Sequence, residues 1–117
     1  MALLVVGSIG LDTIQTPFSR IDEALGGSAT YISVAASYFT KPDEIHLVGV
    51  VGEDFEQDYI DLLKKYNADL EGLQIIKGGK TFRWSGKYHY DFNTRDTLST
   101  DLNVFESFNP IIPEKSK

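Results

Sequence analysis

Leu25-Gly26-Gly27-Ser28-Ala29-Thr30-Tyr31 is the stretch whose reading decides how this chain folds. Two adjacent glycines let the backbone turn sharply and expose its N–H groups, so the pair reads as a turn that can hold a ligand and open a helix. Downstream, Ala29, Ile32, Ala35, Ala36 and Phe39 recur at helical spacing, which predicts a helix over about Ser28–Phe39 with that stripe toward the core. Ser28 can cap its start, and Pro42 forbids its continuation. On either side lie continuous apolar runs, Ala2–Val6 and Ile45–Val51, the pattern of strands buried on both faces. Strand, helix, strand in this order predicts a parallel sheet of the α/β class.

Further along, Phe55, Tyr59, Leu62, Leu63 and Tyr66 form a one-sided helical stripe over about Phe55–Tyr66. Asp54 and Gln57 have the spacing of an N-terminal capping pair, and Lys64 and Lys65 suit the negative C-terminal end. After it the period falls to two: Phe82, Trp84, Tyr88, Tyr90 and Phe92 share one face of a predicted strand, and Arg83, Ser85, Lys87, His89 and Asp91 the other. Asn93–Asp96 is turn-like, and Thr97–Val104 is expected to return as a hairpin strand. Thr13–Leu25 is polar and strand-like where a plain crossover needs only a short loop, so it reads as an insertion whose strands can pair with the later hairpin in one accessory sheet. Pro110 and Pro113 predict an irregular tail.

Composition removes several function classes. The 117 residues make one domain, able to bury roughly two thirds of its unfolded surface. Seventeen acidic against eleven basic residues give a net charge of −6, which argues against nucleic acid and anionic membranes as partners. With no cysteine, disulfides, thiol catalysis and cysteine-based metal sites are excluded, and two histidines do not build a histidine-rich centre, so no metal ligands are assigned. The N-terminal apolar run lacks a basic flank and is too short for a signal peptide or a membrane span, which makes the cytoplasm the expected location.

The chemistry then centres on Asp12 and the glycine pair. Ligands of open α/β sheets sit beyond the carboxyl ends of the strands, and Asp12 follows the first strand. A carboxylate there accepts hydrogen bonds from neighbouring hydroxyls while N–H groups at Gly26–Ser28 donate, a combination suited to a polyol. Taken locally, Asp12 as a turn residue and the glycines as a bend leading into a helix fit equally well. Gly7-Ser8-Ile9-Gly10 lacks the spacing of a dinucleotide-binding turn, and no G-x-x-x-x-G-K-[ST] loop occurs. The aromatic strand around Trp84 could cover a sugar, pack as core or form a dimer surface. His46, inside an apolar strand, is expected to be a hydrogen-bonded core histidine, and Asp54 is explained as a cap.

The order of these motifs, Gly7-Ser-Ile-Gly-Leu-Asp12, a polar insertion, Leu25-Gly26-Gly27-Ser-Ala, a small-residue helix, then Leu47-Val-Gly-Val-Val-Gly52-Glu-Asp54-Phe, resembles the N-terminal part of ribokinase-like carbohydrate kinases of the PfkB type. The resemblance covers nearly the whole chain and implies a truncated ribokinase-like α/β fold over residues 1–117, with a β-sheet lid from segments about 13–25 and 80–104. It makes Asp12, Gly26, Gly27, Ser28 and Tyr31 substrate-binding candidates for a sugar or nucleoside, and Phe82, Trp84 and Tyr88 lid residues. Gly10 and Tyr31 stand where many members carry asparagine, which points away from ribose itself, though Tyr31 can reach a ligand through its hydroxyl. The family's Gly-Ala-Gly-Asp segment, with its catalytic base and most of its ATP site, has no counterpart in this sequence. The resemblance therefore implies ATP and Mg for a parent kinase, no catalytic residue and no tightly bound cofactor in this chain, and leaves open a homodimer through the lid. A non-catalytic module that binds polyols or dimerises is the competing expectation.

Overall fold

A computed structural model describes residues 2–89 and 95–116. The chain runs through β1 (Leu3–Val6), β2 (Gly10–Gln15), β3 (Arg20–Gly26), α1 (Ser28–Ser37), β4 (Ile45–Gly52), α2 (Gln57–Lys65), β5 (Ala68–Asp69), β6 (Leu73–Ile76), β7 (Phe82–Tyr88) and β8 (Arg95–Asp101), with 3-10 turns over Asn103–Ser107 and Glu114–Ser116. The apolar run predicted as the second strand is the spine of the molecule. β4 is buried at every position but His46, and pairs in parallel with β1, β5 and β6. Its Ile45, Leu47 and Val51 meet Val5, Ile9, Leu11, Ala29, Phe55 and Leu63 in one hydrophobic cluster. No described helix is long and apolar enough to cross a membrane.

The two polar β segments pair as expected into a second sheet, ordered β3-β2-β7-β8. β2–β3 and β7–β8 are antiparallel, and the parallel contact of β2 with β7 joins the two hairpins. The class is the α/β architecture expected, a parallel sheet with crossover helices carrying an accessory sheet built from two insertions.

Several local expectations are corrected. β1 is not buried on both faces: only Val5 is, while Leu3, Leu4 and Val6 are exposed, because β1 lies at the outer edge of its sheet beside β4. α1 ends at Ser37, and only the Ala29 and Ala36 part of its apolar stripe packs on the core. Ala29, Thr30 and Ser33 are buried, whereas Ile32 is 50% and Phe39 91% exposed. The cause is the closeness of helix and sheet: a Cβ on Gly7 would lie 2.7 Å from Ser28 Oγ and 3.3 Å from Ala29 N, so only small side chains fit between them.

Ser28 does not cap α1. Gly27 is the N-cap residue, and the capping groups come from Ser8, whose Oγ accepts the Ser28 N–H at 2.9 Å and whose carbonyl accepts the Ala29 N–H at 2.9 Å. At the other end of the helix, Asn67, with φ of 70°, donates from Nδ2 to the carbonyls of Ser37 and Thr40. His46 is hydrogen-bonded as expected, its Nδ1 lying 2.6 Å from Ser116 Oγ, but it is half-buried at the margin of the core rather than within it. The tail is less irregular than its prolines suggest, since Lys115 bridges to Asp69 at 2.5 Å and fixes the last turn. β8 begins at Arg95 rather than Thr97 and ends at Asp101, where the chain enters a 3-10 turn instead of continuing to Val104. Of the turn expected over Asn93–Asp96, Arg95 and Asp96 are strand residues of β8, while Asn93, Thr94 and the residues Tyr90, Asp91 and Phe92 lie outside the described residues.

The largest local correction concerns Asp54. α2 starts with Glu56 as N-cap and no side-chain cap, and Gln57 turns instead to Asp61. Asp54 Oδ1 accepts from the N–H and Oγ1 of Thr81, at 2.9 and 2.8 Å, and Oδ2 accepts from Arg83 Nη1 at 2.7 Å. Burial opposes its charge, but the hydrogen bonds of Thr81 and Arg83 more than offset this and hold its pKa below the usual carboxylate value. Thr81 Oγ1 in turn accepts the Gly52 N–H at the end of β4. The residue expected to cap a helix is therefore the junction of the two sheets.

These placements separate the stabilising apolar residues from the displayed ones. Leu63→Ala, at a fully buried site, is expected to cost about 2–5 kcal/mol in chemical denaturation. Phe39→Ser is expected to stay within about 0.5 kcal/mol of the parent chain.

Candidate substrate site

Parallel pairing of β2 with β7 sets Gly10 beside Phe82 and Asp12 beside Trp84. Since alternate residues of a strand share a face, Asp12 and Ile14 and the rings of Phe82, Trp84 and Tyr88 turn to one side of the second sheet. The N-terminus of α1 closes the other side. The result is a cleft of about 420 Å³ lined by Asp12, Ile14, Gly27, Ser28, Tyr31, Phe82, Trp84, Tyr88 and Arg95.

Glycine is required where backbone meets side chain. A Cβ on Gly26 would lie 2.2 Å from Asp12 Oδ2, and one on Gly10 would lie 2.8 Å from the Phe82 ring. Gly27 has φ of 93°, and a Cβ there would stand 2.4 Å from the Ser8 carbonyl. Gly26 thus clears the space for the Asp12 carboxylate without lining the cleft itself, while Gly27 makes the turn into α1. Within β7, the Trp84 indole lies over Gly86, where a Cβ would be 2.0 Å from the ring.

The polar centre is a carboxylate paired with a phenol. Tyr31 OH donates to Asp12 Oδ2 at 2.9 Å. Burial of the phenol first, then the hydrogen bond and charge of Asp12, push the Tyr31 pKa up to about 12. At neutral pH the phenol is a fixed donor, and the remaining lone pairs of the Asp12 carboxylate stay open to the cleft. Opposite, Arg95 stands over the Trp84 ring, its guanidinium carbon 5.4 Å from the ring centre. The site therefore offers a hydroxyl acceptor at one end and flat aromatic surface at the other.

All the sequence-derived candidates except Gly26 line this one cleft. Of the N–H groups at Gly26–Ser28 expected as donors, that of Ser28 is already taken by Ser8, as is that of Ala29 beyond them. Ile14 and Arg95 were missed. Arg95 is the cross-strand partner of Tyr88, a relation that only the register of the hairpin reveals.

No protein-family model matches the chain. It is 33% identical over 89 residues to the cytidine kinase of Thermococcus kodakarensis, an alignment spanning 76% of this chain and 31% of that protein. The nucleoside kinase of Burkholderia thailandensis in complex with inosine superposes with a TM-score of 0.71 at 22% identity, over 87% of this chain and 35% of its own. The ribokinase of Cryptococcus neoformans var. grubii serotype A in complex with ADP gives a TM-score of 0.67 at 18% identity, over 87% and 35%. The chain thus spans about a third of the length of the proteins it matches.

The Tyr31–Asp12 pair has a measurable signature. Because the folded pKa exceeds that of free tyrosine, the protonated phenol bonded to Asp12 contributes stability that is complete below pH 10 and is lost as pH rises toward 12. Thermal melts across that window are expected to fall more steeply for the parent chain than for Tyr31→Phe, with both curves parallel at neutral pH.

What the sequence pattern and the superpositions identify is a ribokinase-like fold, matched over about a third of the length of the kinases it resembles.

Proposed function

We propose that this chain is the substrate-holding part of an ATP-dependent kinase that phosphorylates a hydroxyl of a nucleoside or sugar. The observation that carries this reading is the single cleft in which the Asp12 carboxylate faces the Phe82, Trp84 and Tyr88 rings. A carboxylate is matched to vicinal hydroxyls and an aromatic wall to a nucleobase or the C–H face of a sugar, so the cleft suits both ends of a nucleoside. The second sheet then acts as a lid, and the Tyr31 hydroxyl holds Asp12 in the orientation that accepts from substrate.

The residues present do not fit the nucleotide and its metal. The Ser28 and Ala29 N–H groups at the start of α1, the natural place for a phosphate, are bonded to Ser8, and the Gly7–Gly10 turn has no phosphate-binding spacing. No step through ATP or Mg is therefore assigned to this chain. Its own residues bind and orient the acceptor hydroxyl, and the isolated chain is expected to bind weakly and to transfer nothing. Phosphoryl transfer needs a base and donors that neutralise the transferred group, and the family's segment for both lies outside these residues.

The competing reading, a non-catalytic module that dimerises through the second sheet, draws on β8, which is an outer strand exposed along its whole length with Leu98 57% exposed. Sedimentation separates the two, since a monomer that binds nucleoside removes the dimer reading.

The direct test is calorimetric titration of the chain with cytidine, inosine and ribose, together with a Mg-ATP assay of the intact gene product on the same panel. Binding of a nucleoside, weakened about tenfold or more by Asp12→Asn through loss of charge-assisted hydrogen bonds, is the expected result. No ADP above background with any acceptor would overturn the kinase reading.

A further inference from the structure

Arg83 lies on the face of β7 opposite the cleft and makes three hydrogen bonds there. Its Nη1 donates to Asp54 Oδ2 at 2.7 Å and to the Thr81 carbonyl at 3.1 Å, and its Nε donates to Glu23 Oε1 at 2.8 Å. The two carboxylates belong to different parts of the molecule. Asp54 is anchored to the end of β4 through Thr81 and Gly52. Glu23 sits on β3 in the second sheet, in a left-handed conformation with φ of 49°.

Glu23 is also the point where β3 is irregular. Its N–H donates to Thr13 Oγ1 at 3.2 Å, its carbonyl accepts from Tyr59 OH at 2.8 Å, and the register of β2 with β3 shifts between Asp12 and Ile14. The irregularity that Arg83 grips therefore lies beside the position of Asp12. On its own strand, Arg83 stands between Phe82 and Trp84, which line the cleft. One guanidinium thus connects the strand carrying the aromatic wall, the hairpin carrying the carboxylate and the end of the central strand. Its planar fork fixes the geometry of all three in a way a point charge does not.

We infer that Arg83 is a positioning residue for the cleft: by clamping Asp54 and Glu23 from behind, it sets the separation of the Trp84 wall from the Asp12 carboxylate. The inference rests on the substrate-site reading above for its functional consequence, but its geometric content stands apart from it.

Trp84 is the sole tryptophan and adjoins Arg83, so its fluorescence reports the clamp without any ligand. The experiment compares the 117-residue chain with its Arg83→Met, Arg83→Lys and Glu23→Gln variants, reading acrylamide quenching of Trp84, inosine affinity and melting temperature. Arg83→Met keeps the apolar stem, and is expected to raise the quenching constant about twofold and to weaken inosine about tenfold while the chain stays folded. Arg83→Lys is expected to recover part of both losses, and Glu23→Gln, which leaves the Asp54 pair intact, to give a smaller change of the same sign. Should Arg83→Met fail to fold, Glu23→Gln decides: parent-like quenching in that variant overturns the inference. Parent-like quenching and affinity in Arg83→Met overturn it as well, as does a loss of melting temperature alone with the quenching unmoved. If the parent chain binds no inosine, the substrate reading has failed, and the quenching comparison still judges the clamp by the same outcomes.

Discussion

Everything that gives this chain a site depends on the parallel ladder between β2 and β7. Each of these strands belongs to a short hairpin, and an isolated two-stranded hairpin is marginal in water. Joined edge to edge they become a four-stranded sheet with one aromatic face, and the register that joins them puts Asp12 next to Trp84. Slipping that register by one residue would turn every side chain of one strand to the opposite face, sending the carboxylate away from the rings and Leu11 out of the core. The buried Leu11 and Ile9 hold the register from below, while Arg83 and its carboxylate partners hold it from behind. Apolar packing and charge thus specify the same alignment.

Sequence reading was strong where a pattern has one physical cause. The unbroken apolar run Ile45–Val51 is a strand because nothing else buries so many branched residues, and the stripe ending in Leu63 is a helix because only that period gathers it. The pairing of two distant polar segments was readable because each is strand-like, polar and surplus to the strand–helix–strand crossovers, so two such hairpins left edges for one another. The reading failed where tertiary geometry overrode local preference. α1 shows its large residues to solvent because the sheet approaches too closely for them, and no count of hydrophobic spacing contains that distance. Asp54 looks like a cap at the level of sequence, but its carboxylate is claimed by Thr81 and Arg83, which lie well beyond α2 in the chain. Cysteine-free composition and charge excluded chemistries without placing a single residue of the site.

The start of α1 explains a division of labour. A helix N-terminus attracts anions by default, yet Ser8 reaches across from the first crossover to satisfy the Ser28 and Ala29 N–H groups. What remains open to the cleft nearby is the half-buried Asp12 carboxylate, an acceptor rather than a donor. The glycine pair shapes this corner through backbone alone: Gly27 supplies the turn, and Gly26 supplies the empty volume beneath Asp12.

The ladder between β2 and β7 also governs when the cleft can exist. Its partners are separated by about seventy positions of chain, and closing so long a loop is an entropic cost met only after the intervening segment is in place. The β1–β4 layer and its helices draw on nearer partners and can collapse first, leaving β2 and β3 as a waiting hairpin with the edge of β2 unpaired. As the polypeptide leaves the ribosome, the carboxylate of Asp12 is thus made early and its aromatic wall late. During that interval the edge of β2 is open to mispairing, and the arrival of β7 covers it and completes the cleft in one event.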